Sequence, residues 1–408
     1  MKIQKIKIKN YRSCAETEFE PHTNLSVLIG PNGSGKTNVL SAIRLLQALC
    51  TKGPRHSEIE SPLASASEIT AEYDVDGTKI VYQAKINIVN NEKNLDEIVG
   101  SEETWWLPGP NGRRRKIGMA SSFIHEITAS KNSLARWKKG DRLSHLSMWI
   151  SSKGFPPNTL SLLEKVVSFV SKITYYSASQ FTNPGSAPVS FEVESEATRR
   201  FGISITGHKK LLFDIYQEHL KKSQKFDEFM DLVGPSGIHL IDSIQFQEIK
   251  MSSSTYSVMT GGKVVSREKT NLLVVPQISM AGNTLSPSQL SEGTFKTLAL
   301  IFCLVTDRSS ILMIEEPEVC VHHGLLSSIT ELIKIYSAEK QILISTHSDS
   351  LLDRVDIENV FKVERKENLG TVLSSIKKKM SAKEISALRN YLENEGSLGE
   401  YWKHGDLE

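Results

Sequence analysis

Polar and apolar residues interleave from Met1 to Lys9, with Ile3, Ile6 and Ile8 on one side, which predicts a half-buried strand rather than the unbroken apolar core of a signal peptide. Phe19 and then Leu25-Ser26-Val27-Leu28-Ile29 read as further strands, the second fully buried. Asn38 to Leu49 follow as a helix, since Val39, Leu40, Ile43, Leu46 and Leu49 fall at helical spacing. Alternation returns over residues 72–89 (Tyr73, Val75, Ile80, Tyr82, Ile86, Ile88) and reverses at Asp76-Gly77, a hairpin signal. Residues 90–118 are polar and predict an exposed loop. Residues 120–235 read mostly as helices, clearest at Leu160–Val170 and Lys210–Leu232, and residues 238–280 as short strands turning at Gly261-Gly262. Ser310–Ile314, Gln341–Ile344 and Val360–Val363 complete the strands, and Ser381 with Glu384 forms a capping box for a last helix to about Asn394.

This order predicts an α/β protein in three parts: 1–90, an inserted and mainly helical lobe with short β elements at 91–280, and 281–408. No heptad repeat persists, so long coiled-coil arms are not expected. The 408 residues also suit one large α/β head with an insertion. The longest apolar run, Leu298 to Val305, is far too short to span a bilayer, so no membrane partner and a cytoplasmic location are expected. A net charge of +2 neither implies nor excludes nucleic acid. Cys14, Cys50, Cys303 and Cys320 lack paired spacing, which argues for packing roles over metal or disulfide chemistry.

The strongest chemical signal is Gly30-Pro31-Asn32-Gly33-Ser34-Gly35-Lys36-Thr37, set between a strand and a helix. In such a P-loop, backbone N–H groups of Gly30, Asn32, Gly33, Ser34 and Gly35 curl round a polyphosphate at a helix N-terminus. Lys36 reaches the β- and γ-phosphates of ATP, and the Thr37 hydroxyl holds Mg²⁺. Ser291 and Gly293, within Gln289-Leu290-Ser291-Glu292-Gly293-Thr294, open another helix; they can serve a γ-phosphate or simply cap that helix. Glu315 and Glu316 end an apolar strand. Because alternate strand side chains point oppositely, Glu315 is expected at Mg²⁺ and Glu316 at the attacking water as general base. His347 ends the apolar run Gln341–Thr346 and is expected at the γ-phosphate. His322-His323 could suggest a metal site, but adjacent side chains point apart. Arg113, Arg114 and Arg115, near Trp105-Trp106, fit DNA or RNA contact or a solvated hairpin tip.

With Lys7-Ile8-Lys9-Asn10-Tyr11-Arg12-Ser13 ahead of the P-loop and Glu315-Glu316-Pro317-Glu318 behind it, the chain resembles the RecF/OLD-like, SMC-related ABC-type ATPases. The resemblance implies that Arg12 approaches the nucleotide, that Gln180 meets Mg²⁺, and that Ser291 and Gly293 form the ABC signature. It departs at Val321-His322-His323, where the OLD-like group usually continues Leu-His-Pro. The resemblance further implies a head-to-tail homodimer or higher oligomer around two ATPs, as in the ATPase subunits of anti-phage systems that control a separate nuclease or toxin chain. A RecF-like repair ATPase at DNA ends or gaps is the alternative. Only 61 residues follow His347 (408 − 347 = 61), without a second acidic cluster, so no nuclease site is expected in this chain.

Overall fold

The computed structural model describes residues 1–51, 66–90, 97–108, 114–119, 125–127, 157–194, 207–258, 264–319, 321, 323–394 and 396–403. The chain forms two compact units. The first comprises Met1–Tyr175, Arg308–Glu316 and Ile333–Glu408; the second comprises Tyr176–Asp307 and Pro317–Leu332.

The strands of the first unit are β1 (Lys2–Tyr11), β2 (Cys14–Phe19), β3 (Leu25–Ile29), β4 (Ala66–Val75), β5 (Thr78–Asn90), β6 (Glu97–Pro108), β7 (Arg114–Met119) and β8 (His125–Ile127). A segment running to the unit boundary supplies β9 (Ile173–Ser177). The second unit holds β10 (Phe191–Glu194), β11 (Ser243–Val258), β12 (Val264–Met280) and β13 (Asn283–Leu285). The chain then returns to the first with β14 (Ile311–Glu315), β15 (Gln341–Thr346), β16 (Val360–Lys366) and β17 (Gly370–Ser375). Helices used below are α1 (Lys36–Thr51), α2 (Pro157–Ser171), α3 (His208–Leu220), α4 (Gln224–Val233), α5 (Glu292–Thr306), α6 (His323–Ser337) and α7 (Ala382–Asn394).

One sheet runs β7-β6-β5-β4-β1-β2-β17-β16-β3-β15-β14-β9, with β8 beside β6. Its β7-to-β2 side is antiparallel, whereas β16, β3, β15 and β14 are mutually parallel. Antiparallel pairing continues through β17, and the two regimes meet at β16, which is antiparallel to β17 and parallel to β3. Parallel strands are covered on both faces, which is why β3 and the first four residues of β14 are buried throughout. Ile29 of β3 pairs with Thr346 of β15, and Glu315 of β14 pairs with Ser345. Three parallel strands therefore end level, and ligands of such sheets gather at those ends.

The expected hairpin at Asp76-Gly77 is present as β4–β5, both turn residues having positive φ. The exposed loop expected over residues 90–118 is instead occupied by β6 and β7. Trp105 of β6 is 1% exposed and lies 4.3 Å from the Tyr82 ring, so it packs inward and cannot stack on a base. Apolar burial on one face outweighs the polar composition that suggested a loop. Arg114 and Arg115 pair by register with Pro108 and Leu107 in β7, while Arg113 lies outside the described residues.

In the second unit β11 and β12 pair over 16 and 17 residues, a ribbon rather than the short strands expected. Its Gly261-Gly262 turn falls outside the described residues. The single helix expected near Lys210–Leu232 is two, because Lys222 adopts φ 47° and Ser223 caps α4 by accepting from Phe226 N–H at 3.1 Å. Phe229 of α4 meets Phe302 of α5 edge to face at 5.2 Å. The Ser381–Glu384 capping box is made in both directions ahead of α7, and the Ser381 backbone N–H holds the Glu384 carboxyl below the usual range. Among the described residues no helix is long and apolar enough to cross a membrane.

Candidate nucleotide site

Strand β3 ends at Ile29 and the chain turns through Gly30–Gly35 into α1. Two glycines of this loop are required by its surroundings. A Cβ on Gly30 would collide with the Val363 carbonyl oxygen of β16, and a Cβ on Gly35, whose φ is 106°, would collide with the Thr371 and Ser13 hydroxyls. Lys36 opens α1 but folds back. Its ammonium donates to Gly30 O at 2.8 Å and Pro31 O at 3.2 Å and lies 3.4 Å from His347 Nδ1, leaving the residue 5% exposed. An ammonium held among carbonyls at the mouth of such a loop is a ready counter-charge for an incoming phosphate.

The two carboxylates at the end of β14 are separated by a backbone turn. Glu315 is still in the strand, and its two oxygens accept from the Thr37 and Tyr175 hydroxyls. Glu316 leaves the strand with φ 47°, its N–H donating to Ser345 O at 2.8 Å. Its carboxylate then lies 3.3 Å from His347 Nε2. The strand pleat expected to divide these roles has ended by residue 316, so the left-handed residue performs the division instead. Non-glycine residues in that region carry about 1–3 kcal/mol of strain and concentrate at functional sites.

His347 thus bridges Lys36 and Glu316, one through each ring nitrogen. Thr37 and Glu315 together offer a hydroxyl and a carboxylate, the hard oxygen donors that suit Mg²⁺. Tyr175 carries no motif signal, yet it saturates the second oxygen of Glu315, and its ring lies under the Arg44 guanidinium at 4.4 Å. Arg12 has φ 50°, lies over its neighbour Tyr11 and donates to Ser41 Oγ of α1 at 3.2 Å.

Ser291, Gly293 and Gln180 belong to the second unit. Ser291 is the N-cap of α5, its Oγ accepting from Thr294 N–H at 3.1 Å, so the capping option raised by the sequence is realised. Gln180 is exposed in a 3₁₀ turn, Ala178–Phe181. His322 lies outside the described residues. Cys14 and Cys50 are buried, Cys303 is half-buried, and Cys320 is outside the described residues. Burial pushes the Cys14 thiol up, against hydrogen bonds from Thr17, Thr371 and Ser13, which suits a neutral packing group.

Residues 1–107 match the family profile described as "AAA ATPase domain", and residues 239–353, which contain Ser291, Glu315 and His347, match "AAA domain, putative AbiEii toxin, Type IV TA system". The chain is also 26% identical over 99 residues to the DNA replication and repair protein RecF of Desulforamulus reducens, covering 24% of this chain and 27% of that protein. Together these matches support an ABC-type AAA ATPase related to RecF. A shorter match, 54% identical over 43 residues, joins this ATPase to the DNA double-strand break repair Rad50 ATPase of Methanopyrus kandleri, covering 10% of this chain and 5% of that one. These matches span about a quarter or less of the relatives' own lengths. Among solved structures, an SMC head bound to the C-winged helix domain of ScpA aligns with 93% of this ATPase and 100% of that chain, at 14% identity and a TM-score of 0.48.

Proposed function

We propose that this ATPase binds ATP with Mg²⁺ on the Gly30–Thr37 loop and hydrolyses it to ADP and phosphate. The observation that carries the reading is the convergence of Lys36, Thr37, Glu315, Glu316 and His347 from three level strand ends. Thr37 and Glu315 would hold Mg²⁺, whose charge neutralises phosphate oxygens when bound. Tyr175 orients Glu315 by occupying its second oxygen. Glu316 takes a proton from water, and His347 orients Glu316 through its Nε2–H. Lys36 stabilises the charge that develops on the β- and γ-phosphates.

ATP is shared between two copies packed head to tail, the signature residues Ser291 and Gly293 of one copy closing the site of the other. Lys36→Ala is then expected to lower both ATP binding and phosphate release, the latter by about 10²–10³-fold. Ser291→Ala leaves the first ATP binding nearly intact but slows turnover by roughly 10–100-fold, the worth of a hydrogen bond to a charged group. Phosphate-release kinetics beside fluorescent-nucleotide titration separate the two. Equal loss of binding and turnover in Ser291→Ala would contradict the shared site.

The cellular role we infer is control of a separate nuclease or toxin chain in anti-phage defence, supported by the AbiEii-type description of the profile over residues 239–353. The RecF relatives favour a second reading, repair at DNA ends or gaps, with Arg113, Arg114 and Arg115 as candidate backbone contacts. Plaque counts and ultraviolet survival in cells with and without the gene and its neighbours distinguish them. Loss of phage resistance alone supports defence, and ultraviolet sensitivity alone supports repair.

A further inference from the structure

Outside the motifs named so far, one side chain touches the P-loop from the far end of the chain. Thr371 of β17 is 0% exposed, and its hydroxyl donates to Ser34 O at 2.9 Å. A hydroxyl has one proton, so the 2.7 Å contact between Ser13 Oγ and Thr371 Oγ1 must be donated by Ser13. Ser13 in turn accepts from Asn38 Nδ2 at 2.6 Å. The result is a directed chain, Asn38 to Ser13 to Thr371 to the Ser34 carbonyl. The Thr371 backbone is fixed as well: its N–H donates to Ser13 O at 2.7 Å and its carbonyl accepts from Thr17 Oγ1 at 2.5 Å.

In a trans peptide the carbonyl and the following N–H point opposite ways. Pinning Ser34 O to Thr371 therefore aims the Gly35 N–H away from β17, toward the open side of the loop. We propose that Thr371 is a positioning residue for the phosphate-binding loop: its hydroxyl sets the Ser34–Gly35 peptide so that Gly35 N–H is presented to a phosphate. The inference rests on the ATP-binding reading above. It also gives the β16–β17 hairpin a task, since β16 supplies the Val363 carbonyl against Gly30 from the same side.

The test compares Thr371→Val, which keeps shape but loses the hydroxyl, with Thr371→Ser, which keeps the hydroxyl. Titration with a fluorescent ATP analogue is read beside steady-state KM and kcat and a circular-dichroism melt. Thr371→Val is expected to weaken nucleotide binding and raise KM about tenfold with kcat little changed, the scale of one lost hydrogen bond in a buried network. Thr371→Ser is expected to restore binding to within about twofold. If Thr371→Val does not fold, Ser13→Ala, which removes the relay donor but keeps the Thr371 hydroxyl, is expected to weaken binding several-fold with an unaltered melt. Wild-type affinity in the folded Thr371→Val protein, or Thr371→Ser as weak as Thr371→Val, overturns the proposal, as does wild-type affinity in Ser13→Ala. No saturable nucleotide binding by the wild-type chain would overturn the ATP-binding reading instead.

Discussion

Glu316→Gln is expected to slow phosphate release from ATP by about 10²–10⁴-fold, the usual worth of a positioned general base, while ATP binding stays close to wild type. The argument is geometric. Gln is nearly isosteric with Glu, so the left-handed backbone at φ 47° and the Glu316 N–H bond to Ser345 O persist. The side chain still reaches His347 Nε2, but an amide cannot take a proton from water. The Lys36, Thr37 and Glu315 contacts are untouched, so the nucleotide still binds. Because the γ-phosphate then survives, a head-to-tail assembly around ATP should be trapped. Sedimentation of Glu316→Gln with ATP is therefore expected to show a dimer or larger species that the nucleotide-free protein lacks. A monomer under both conditions would refute the shared site, and unimpaired hydrolysis would remove Glu316 from the chemistry.

Gly35→Ala should be the most damaging single change in the loop. At φ 106° an alanine costs about 1–3 kcal/mol in backbone strain alone. Its Cβ would also overlap the hydroxyls of Thr371 and Ser13, and neither can step aside. Thr371 is β-branched, fully buried and bonded through both hydroxyl and backbone, and relieving such an overlap typically costs a further 1–3 kcal/mol or so. If the loop yields instead, the Ser34–Gly35 peptide turns and the phosphate cradle is lost. The expected outcome is a folded protein with a lower melting temperature and no measurable ATP binding at concentrations that saturate wild type. Gly33, at φ 79° with open space around its Cα, is the control: Gly33→Ala meets the backbone penalty without the overlap and is expected to bind more weakly but measurably. Equal binding by Gly35→Ala and wild type would show that the packing against Thr371 has no bearing on the loop.

Much of the site was legible because its signals are local. A buried apolar strand, a glycine-rich turn and a helix are consecutive in Leu25–Leu49, and each of the two later strands delivers its polar residues immediately after an apolar run. Local order does not reveal lateral order, however. That β3 lies between β15 and β16, and that Ile29 finishes level with Thr346, follows from pairing between segments more than 300 residues apart. The misreadings have the same origin. Residues 97–108 are polar enough for a loop, but they become β6 because Trp105 finds Tyr82 across the ladder. The pleat argument for Glu315 and Glu316 fails by one residue, because nothing local announces that the strand stops at 315.

By itself the sequence determined the elements with strong periodicity, the P-loop, the two carboxylates and His347, since each depends on spacing within one segment. Only the tertiary structure decided which groups meet. Tyr175 on Glu315, His347 between Lys36 and Glu316, and Thr371 on the Ser34 carbonyl are contacts across 140, 311 and 337 positions of chain. Hydroxyl and phenol side chains carry no pattern that marks such partners in advance. A single proton on a hydroxyl acquires direction only when strand pairing brings its acceptor within 3 Å or so.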